Sequence, residues 1–188
     1  MSNGVILARL QPIHNGHLAM IEKSLQENDT TLVLIGSADK FNKRNPIPIG
    51  LRLKMAQDAT NKILDKYPNK KLIIKPLDDL DDETNNTHAW GFYLFAKIVT
   101  LLKDSNFTIY YSDGYEIITT WFPTFLFRDN ISLSLLARNS FVGQPISATM
   151  VRKYIMENDE EKLKELVPEN VFDLREALKN FIAVSEKI

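Results

Sequence analysis

Short apolar runs alternate along this chain with stretches whose apolar positions recur every three or four residues. Val5 to Leu10 reads as a first strand, and Gly16 to Leu25 as a helix with Leu18, Ile21 and Leu25 along one face. Thr31 to Ile35 is a continuous apolar run of strand length, the pattern of a strand covered on both faces, and Gly36 ends it. A polar loop from Ser37 to Pro48 leads to a helix over about Ile49 to Leu64. Lys71 to Lys75, closed by Pro76, predicts a third strand, and His88 to Leu102 a helix with Thr87 as its N-cap. Phe107 to Tyr111 predicts a fourth strand and Thr124 to Phe127 a fifth. From Ser147 the chain turns helical, with Asp159 capping a short helix and a last helix from about Glu169 to Ile188.

Strands separated by helix-length segments predict right-handed crossovers, hence an α/β fold: a parallel sheet with helices on both faces and a helical C-terminal end. Residues 1–188 are expected to form one domain, with a helical part from about 147 to 188. Ligands of such sheets bind beyond the carboxyl ends of the strands. The loops at that edge are residues 11–17, 36–48, 76–87 and 112–115. The acidic run Asp78 to Glu83 lies in one of them and reads as a solvated loop more readily than as a metal site.

Composition narrows the chemistry. A formal net charge of −1 gives no electrostatic case for nucleic acid or a membrane surface as partner. The chain has no cysteine, which removes disulfides, thiolate catalysis and cysteine metal sites. Three histidines without carboxylates at ligand spacing predict no metal site built from protein side chains. Asn3 and Gly4 lead straight into a strand, unlike a signal peptide, and the apolar runs fall short of a membrane span. A cytoplasmic protein is the expectation.

The densest chemistry lies in Pro12-Ile13-His14-Asn15-Gly16-His17, where a strand hands over to a helix. The first N–H groups of a helix have no intrahelical partner, and the helix dipole adds partial positive charge, so this junction suits an anion. Gly16 removes a Cβ, and the imidazoles of His14 and His17 can donate to the same phosphate. Near the other end, Ser147 sits where a helix begins, and Thr149 and Arg152 are spaced i, i+3 on one side of it. A hydroxyl, free N–H groups and a guanidinium in one turn suit the outer phosphates of a nucleoside triphosphate. Taken alone, a serine N-cap and a surface arginine would give the same pattern.

Together the two motifs resemble the nucleotidylyltransferase superfamily, with its histidine–x–glycine–histidine and its later isoleucine–serine–x–threonine–x–x–arginine. The superfamily fold is a Rossmann-like parallel sheet. Within it the chain looks like the archaeal-type and bifunctional branch of nicotinamide-mononucleotide adenylyltransferases. The matching segments are Ala8 to His17, Ile35 to Ala38, Arg44-Asn45-Pro46 with Gly50-Leu51-Arg52, and Phe127-Arg128-Asp129. Ala8 replaces that branch's usual glycine. Thr87 stands where an asparagine is expected, with Asn86 just upstream. No Nudix hydrolase sequence follows, so the bifunctional arrangement is not expected.

The resemblance implies attack of a mononucleotide phosphate on the α-phosphorus of ATP, with magnesium arriving on ATP and release of pyrophosphate. His14, His17 and Arg152 would be catalytic. Arg9, Gln11, Gly16, Gly36, Ser37, Ser147 and Thr149 would line the ATP site, and Trp90, Thr87 and Asn86 the acceptor site. From spacing alone, Trp90 beside Phe92, Tyr93 and Phe95 reads as core more readily than as a ligand box; the resemblance implies that its indole stacks on the nicotinamide ring. It also suggests a homo-oligomer. The alternatives are a phosphopantetheine adenylyl- or glycerol-phosphate cytidylyl-type transferase, a fragment of a class I aminoacyl-tRNA synthetase, or a non-catalytic nucleotide sensor.

Overall fold

The computed structural model describes residues 1–80, 88–137 and 145–188. Five strands, β1 (Asn3–Ala8), β2 (Thr30–Ile35), β3 (Lys71–Pro76), β4 (Phe107–Ser112) and β5 (Ile131–Leu136), form one sheet in the order β3-β2-β1-β4-β5. Every pairing is parallel, with Asn3 opposite Thr30, Thr30 opposite Lys71, Gly4 opposite Thr108 and Phe107 opposite Ile131. The chain steps outward from β1 to β3 and then returns to the other side of β1 for β4. The strand order therefore reverses between β1 and β4, the place where such sheets open a crevice.

The uninterrupted apolar run of β2 follows from burial on both faces. Val33 and Ile35 join a core with Ile6, Ile21, Met55, Val151 and Leu178, whereas Leu32 and Leu34 join a second with Val5, Trp90, Ile98, Phe107 and Ile109. Alternate residues of a strand point to opposite faces, so neighbours part company. The first core is covered by α1 (Asn15–Glu27), α2 (Ile49–Leu64) and the C-terminal helices α5 (Ala148–Glu157), α6 (Glu160–Leu166), α7 (Glu169–Asp173) and α8 (Arg175–Ser185). The second is covered by α3 (His88–Leu102) and the short α4 (Thr124–Asp129). A Cβ at Gly91 would collide with the Trp121 carbonyl, so only glycine lets α3 lie against the 121–122 backbone.

Helices α2 and α3 have the predicted bounds, but three other readings are corrected. The first strand ends at Ala8 rather than Leu10, because Leu10 takes φ 49° and leaves the ladder. Thr124 to Phe127 is helical, entered through Pro123 at its N-cap, and the fifth strand follows at Ile131. The single last helix is two: the backbone breaks at Leu174 (φ −89°, ψ 4°), so that α7 packs on α2 while α8 packs on α5.

Candidate active site

The floor of the site is held by an arginine inside the protein. Arg52 lies on the buried face of α2 with Met55, Ala56 and Ile63 and is 0% exposed. Its Nη1 donates to the carbonyls of Arg9 and Gly36, both at 2.8 Å, and its Nη2 to the carbonyl of Ser37 at 2.9 Å. These carbonyls lie just past the ends of β1 and β2, where the chain leaves the sheet through left-handed residues, Leu10 (φ 49°) and Ser37 (φ 50°). One guanidinium thus satisfies three carbonyls that have left the ladder. Beside it, Gln11 clasps the Ile47 backbone, accepting from its N–H at 2.8 Å and donating to its carbonyl at 3.3 Å. Burial first, and then Arg9, push the Arg52 pKa down to about 10.

Above this floor α1 begins. His14 is the N-cap, and its carbonyl accepts from the N–H groups of His17 (2.9 Å) and Leu18 (3.2 Å). The His14 N–H donates to Nδ1 of His17 at 3.3 Å, which fixes the neutral ring as the Nε2–H tautomer. The two imidazoles stack, centroids 3.7 Å apart and planes at 26°. A Cβ on Gly16 would stand 3.2 Å from the His14 ring, so glycine leaves that ring its place. Burial pushes His17 down from 6.5 to about 4, and at neutral pH it is an uncharged donor.

The unfolded chain therefore takes up a proton that the native His17 refuses between about pH 6.5 and pH 4. This contribution to stability is complete above the unfolded value and is lost as pH falls through that window. Calorimetry should show the melting temperature falling less steeply from pH 7 to about pH 4.5 in His17→Gln than in the wild type. Equal slopes would mean that His17 titrates as in the unfolded chain.

The C-terminal segment supplies the facing wall. Ser147 caps α5, its hydroxyl accepting from the Met150 N–H at 3.2 Å. Arg152 donates through Nη1 to the Gln11 carbonyl at 2.8 Å and through Nη2 to the Thr149 hydroxyl at 3.3 Å. A residue late in the chain is thus fastened to the loop after the first strand. Between them lies a cavity of about 280 Å³ whose wall includes Arg9, His14, Gly16, His17, Arg44, Ser147, Thr149 and Arg152. Tyr111, Ser112 and Tyr115, from the end of β4 and the turn beyond it, close the other side. Burial and then Arg44 pull the Arg9 pKa down; burial and then Arg9 do the same to Arg152. The guanidiniums repel one another, and a polyanion between them would relieve that repulsion.

Most residues singled out from the sequence meet here, but not all. Gly36 and Ser37 are not on the cavity wall; their carbonyls serve Arg52, and the Ser37 hydroxyl donates to Asp79 at 3.2 Å. The Gln11 side chain is turned to Ile47 rather than to the cavity's centre, although the residue borders it. Trp90 is 2% exposed and packs in the second core, edge-on to Trp121 at 5.9 Å. It too is absent from the wall. Asn86 and Thr87 lie outside the described residues, as does the end of the acidic run. Sequence reasoning missed the carbonyl clamp of Arg52. Its signal was there: an arginine at i, i+3, i+4 with Met55 and Ala56 occupies an apolar helix face. It also passed over Tyr115, although the turn carrying it, residues 112–115, was placed at the ligand edge.

A family described as cytidylyltransferase-like matches residues 8–154. A nicotinamide-nucleotide adenylyltransferase of Thermococcus kodakarensis is 26% identical over 187 residues, covering 95% of this chain and 85% of that protein. One from Picrophilus torridus is 27% identical over 157 residues, 78% of each. Among solved structures, a bifunctional NMN adenylyltransferase/ADP-ribose pyrophosphatase of Francisella tularensis, complexed with AMP and a manganese ion, superposes with a TM-score of 0.68. It is 19% identical and is matched over 97% of this chain. This chain spans about half of that protein, 52% of its length.

Proposed function

The chain belongs to the cytidylyltransferase-like family, and from that premise we propose that it is an adenylyltransferase joining ATP to nicotinamide mononucleotide or its acid form. The observation that carries the reading is the convergence of His14, His17 and Arg152 on one cavity at the β1/β4 switch point. The adenylyltransferases from the two archaea are similar to this chain over most of its length, which supports the same reaction class.

The acceptor phosphate attacks the α-phosphorus of ATP in line, and pyrophosphate leaves. No covalent intermediate is required, and the protein contributes alignment and charge neutralisation. His17, neutral and with its proton on Nε2, donates to the α-phosphate as charge builds there, and His14 donates beside it. Arg152, aimed by Gln11 and Thr149, holds the departing pyrophosphate, with the N-terminus of α5 behind it. Arg9 reaches a phosphate from the β1 loop. Among the described residues no group of three or more His, Cys, Asp or Glu is placed to hold a metal ion. Magnesium would come as the ATP complex, held by phosphate oxygens and water. The same reading takes residues 1–188 as one transferase domain. Among the described residues no helix is long and apolar enough to cross a membrane.

Purified protein given ATP, Mg²⁺ and either pyridine mononucleotide should release pyrophosphate and form the dinucleotide. Turnover only with phosphopantetheine, or with CTP and glycerol phosphate, would overturn the acceptor; no turnover with any of them would leave a sensor. Arg152→Lys should lower kcat/KM about 10- to 100-fold despite the retained charge, since an ammonium cannot make both guanidinium contacts and one charged hydrogen bond carries about 1.5–3 kcal/mol. Wild-type kinetics in that variant would make Arg152 a loop fastener only.

A further inference from the structure

The loop that carries Arg44 is fastened to the last helix of the fold. Its two ends are held beside the sheet: the Ala38 N–H donates to the Leu77 carbonyl at 3.0 Å, and Gln11 clasps Ile47. Between them the chain turns tightly over residues 42–45, where the Asn42 and Asn45 backbones exchange hydrogen bonds at 3.2 and 2.8 Å. The side-chain oxygen of Asn42 accepts from the N–H groups of Arg44 at 3.0 Å and Asn45 at 2.9 Å. The turn is therefore a small rigid unit, and its attachment decides where the Arg44 guanidinium points.

That attachment is α8. The Phe41 ring stands edge-on to Phe181, centroids 6.5 Å apart at 87°, and Lys43 Nζ lies 2.7 Å from a Glu186 carboxylate oxygen. These two contacts flank Arg44, which lies on the cavity wall. Both partners of the ion pair are exposed, so the ring pair is the firmer of the two. Glu186 reaches the phosphate side by a second path as well. Burial and Arg9 lower the Arg152 pKa, and the Glu186 carboxylate works against them.

Accepting the transferase reading above, on which this inference rests, we propose that Phe181 and Glu186 are positioning residues: α8 clasps the 41–45 turn so that Arg44 faces the nucleotide phosphates. They act through Arg44 rather than on the nucleotide. Without the clasp the turn stays formed but swings, and Arg44 spends part of its time away from the phosphates. The loss is bounded by the clasp itself, and an aromatic pair changes an equilibrium constant about two- to tenfold.

Steady-state kinetics, with each substrate varied in turn and the melting temperature measured on the same preparations, tests this. Arg44→Ala should raise KM for either ATP or nicotinamide mononucleotide about tenfold or more, which identifies the phosphate that Arg44 serves. Phe181→Ala should raise the same KM about two- to tenfold, with kcat and the other KM near wild type. Phe181→Tyr, which keeps the ring, should behave like the wild type. In an Arg44→Ala background, Phe181→Ala should add nothing. Phe41→Ala, on the exposed loop side of the contact, carries the same test if Phe181→Ala fails to fold. Additive losses in the double variant, or equal losses for both substrates, would make the clasp a general support of the fold and overturn the inference. So would an Arg44→Ala variant with both KM values at the wild-type level. A wild-type protein that forms no dinucleotide overturns the functional reading itself, and this inference with it.

Discussion

Replacing His17 by alanine should lower kcat for dinucleotide formation about 10²- to 10³-fold, the usual cost of one donor aimed at developing charge. The fold should survive. The ring's one backbone bond, from the His14 N–H, is a capping contact, worth about 1 kcal/mol when removed. KM for ATP should move less than kcat, because Arg9, Arg152 and the N-terminus of α5 still hold the phosphates. A variant with wild-type kcat and an unchanged melting temperature would remove His17 from the chemistry.

The largest stability effect should come from Arg52, which the functional scheme does not require to touch substrate. Arg52→Met keeps the length and apolar stem but leaves the carbonyls of Arg9, Gly36 and Ser37 without their donor. Hydrogen bonds from a charged group and the penalty for unsatisfied buried carbonyls together suggest a loss of about 3–5 kcal/mol. For a domain of this size that lowers the melting temperature by on the order of 10 °C. Chemical denaturation with nucleotide absent would measure it directly; a loss below about 1 kcal/mol would mean that water replaces the guanidinium.

The sequence carried most of the sheet and the residues His14, His17, Ser147, Thr149 and Arg152 that meet at one cavity, because both rest on local patterns. A run such as Leu32 to Ile35, walled on both faces, cannot conceal its period, and α2 and α3 begin and end where the apolar spacing does. The strand at Ile131 was legible too, in the alternation of Ile131-Ser132-Leu133-Ser134-Leu135. It was eclipsed by Phe125-Leu126-Phe127, which looks more apolar yet buries only Leu126. Composition outweighed period there. Contacts made at a distance were harder to read. Whether Trp90 faced core or ligand depended on Trp121, 31 positions away along the chain. That Tyr115 borders the cavity depended on which strand lies beside β1. The break at Leu174 answers to two different packing partners, which no window along one helix contains.

The fastening of Arg152 to Gln11 spans 141 positions, and Asn15 donates to the Glu165 carbonyl across 150. During synthesis the histidine loop and β1 leave the ribosome long before their partners exist. A nascent chain halted before α5 can pair β1 with β2 and β4, yet the cavity wall supplied by Ser147, Thr149 and Arg152 is still unmade. On the reaction proposed above, competence to bind ATP is then the last property acquired. Arrested chains of increasing length should become nucleotide-protected against protease in one step, as α5 and α6 emerge, well after the sheet has become resistant.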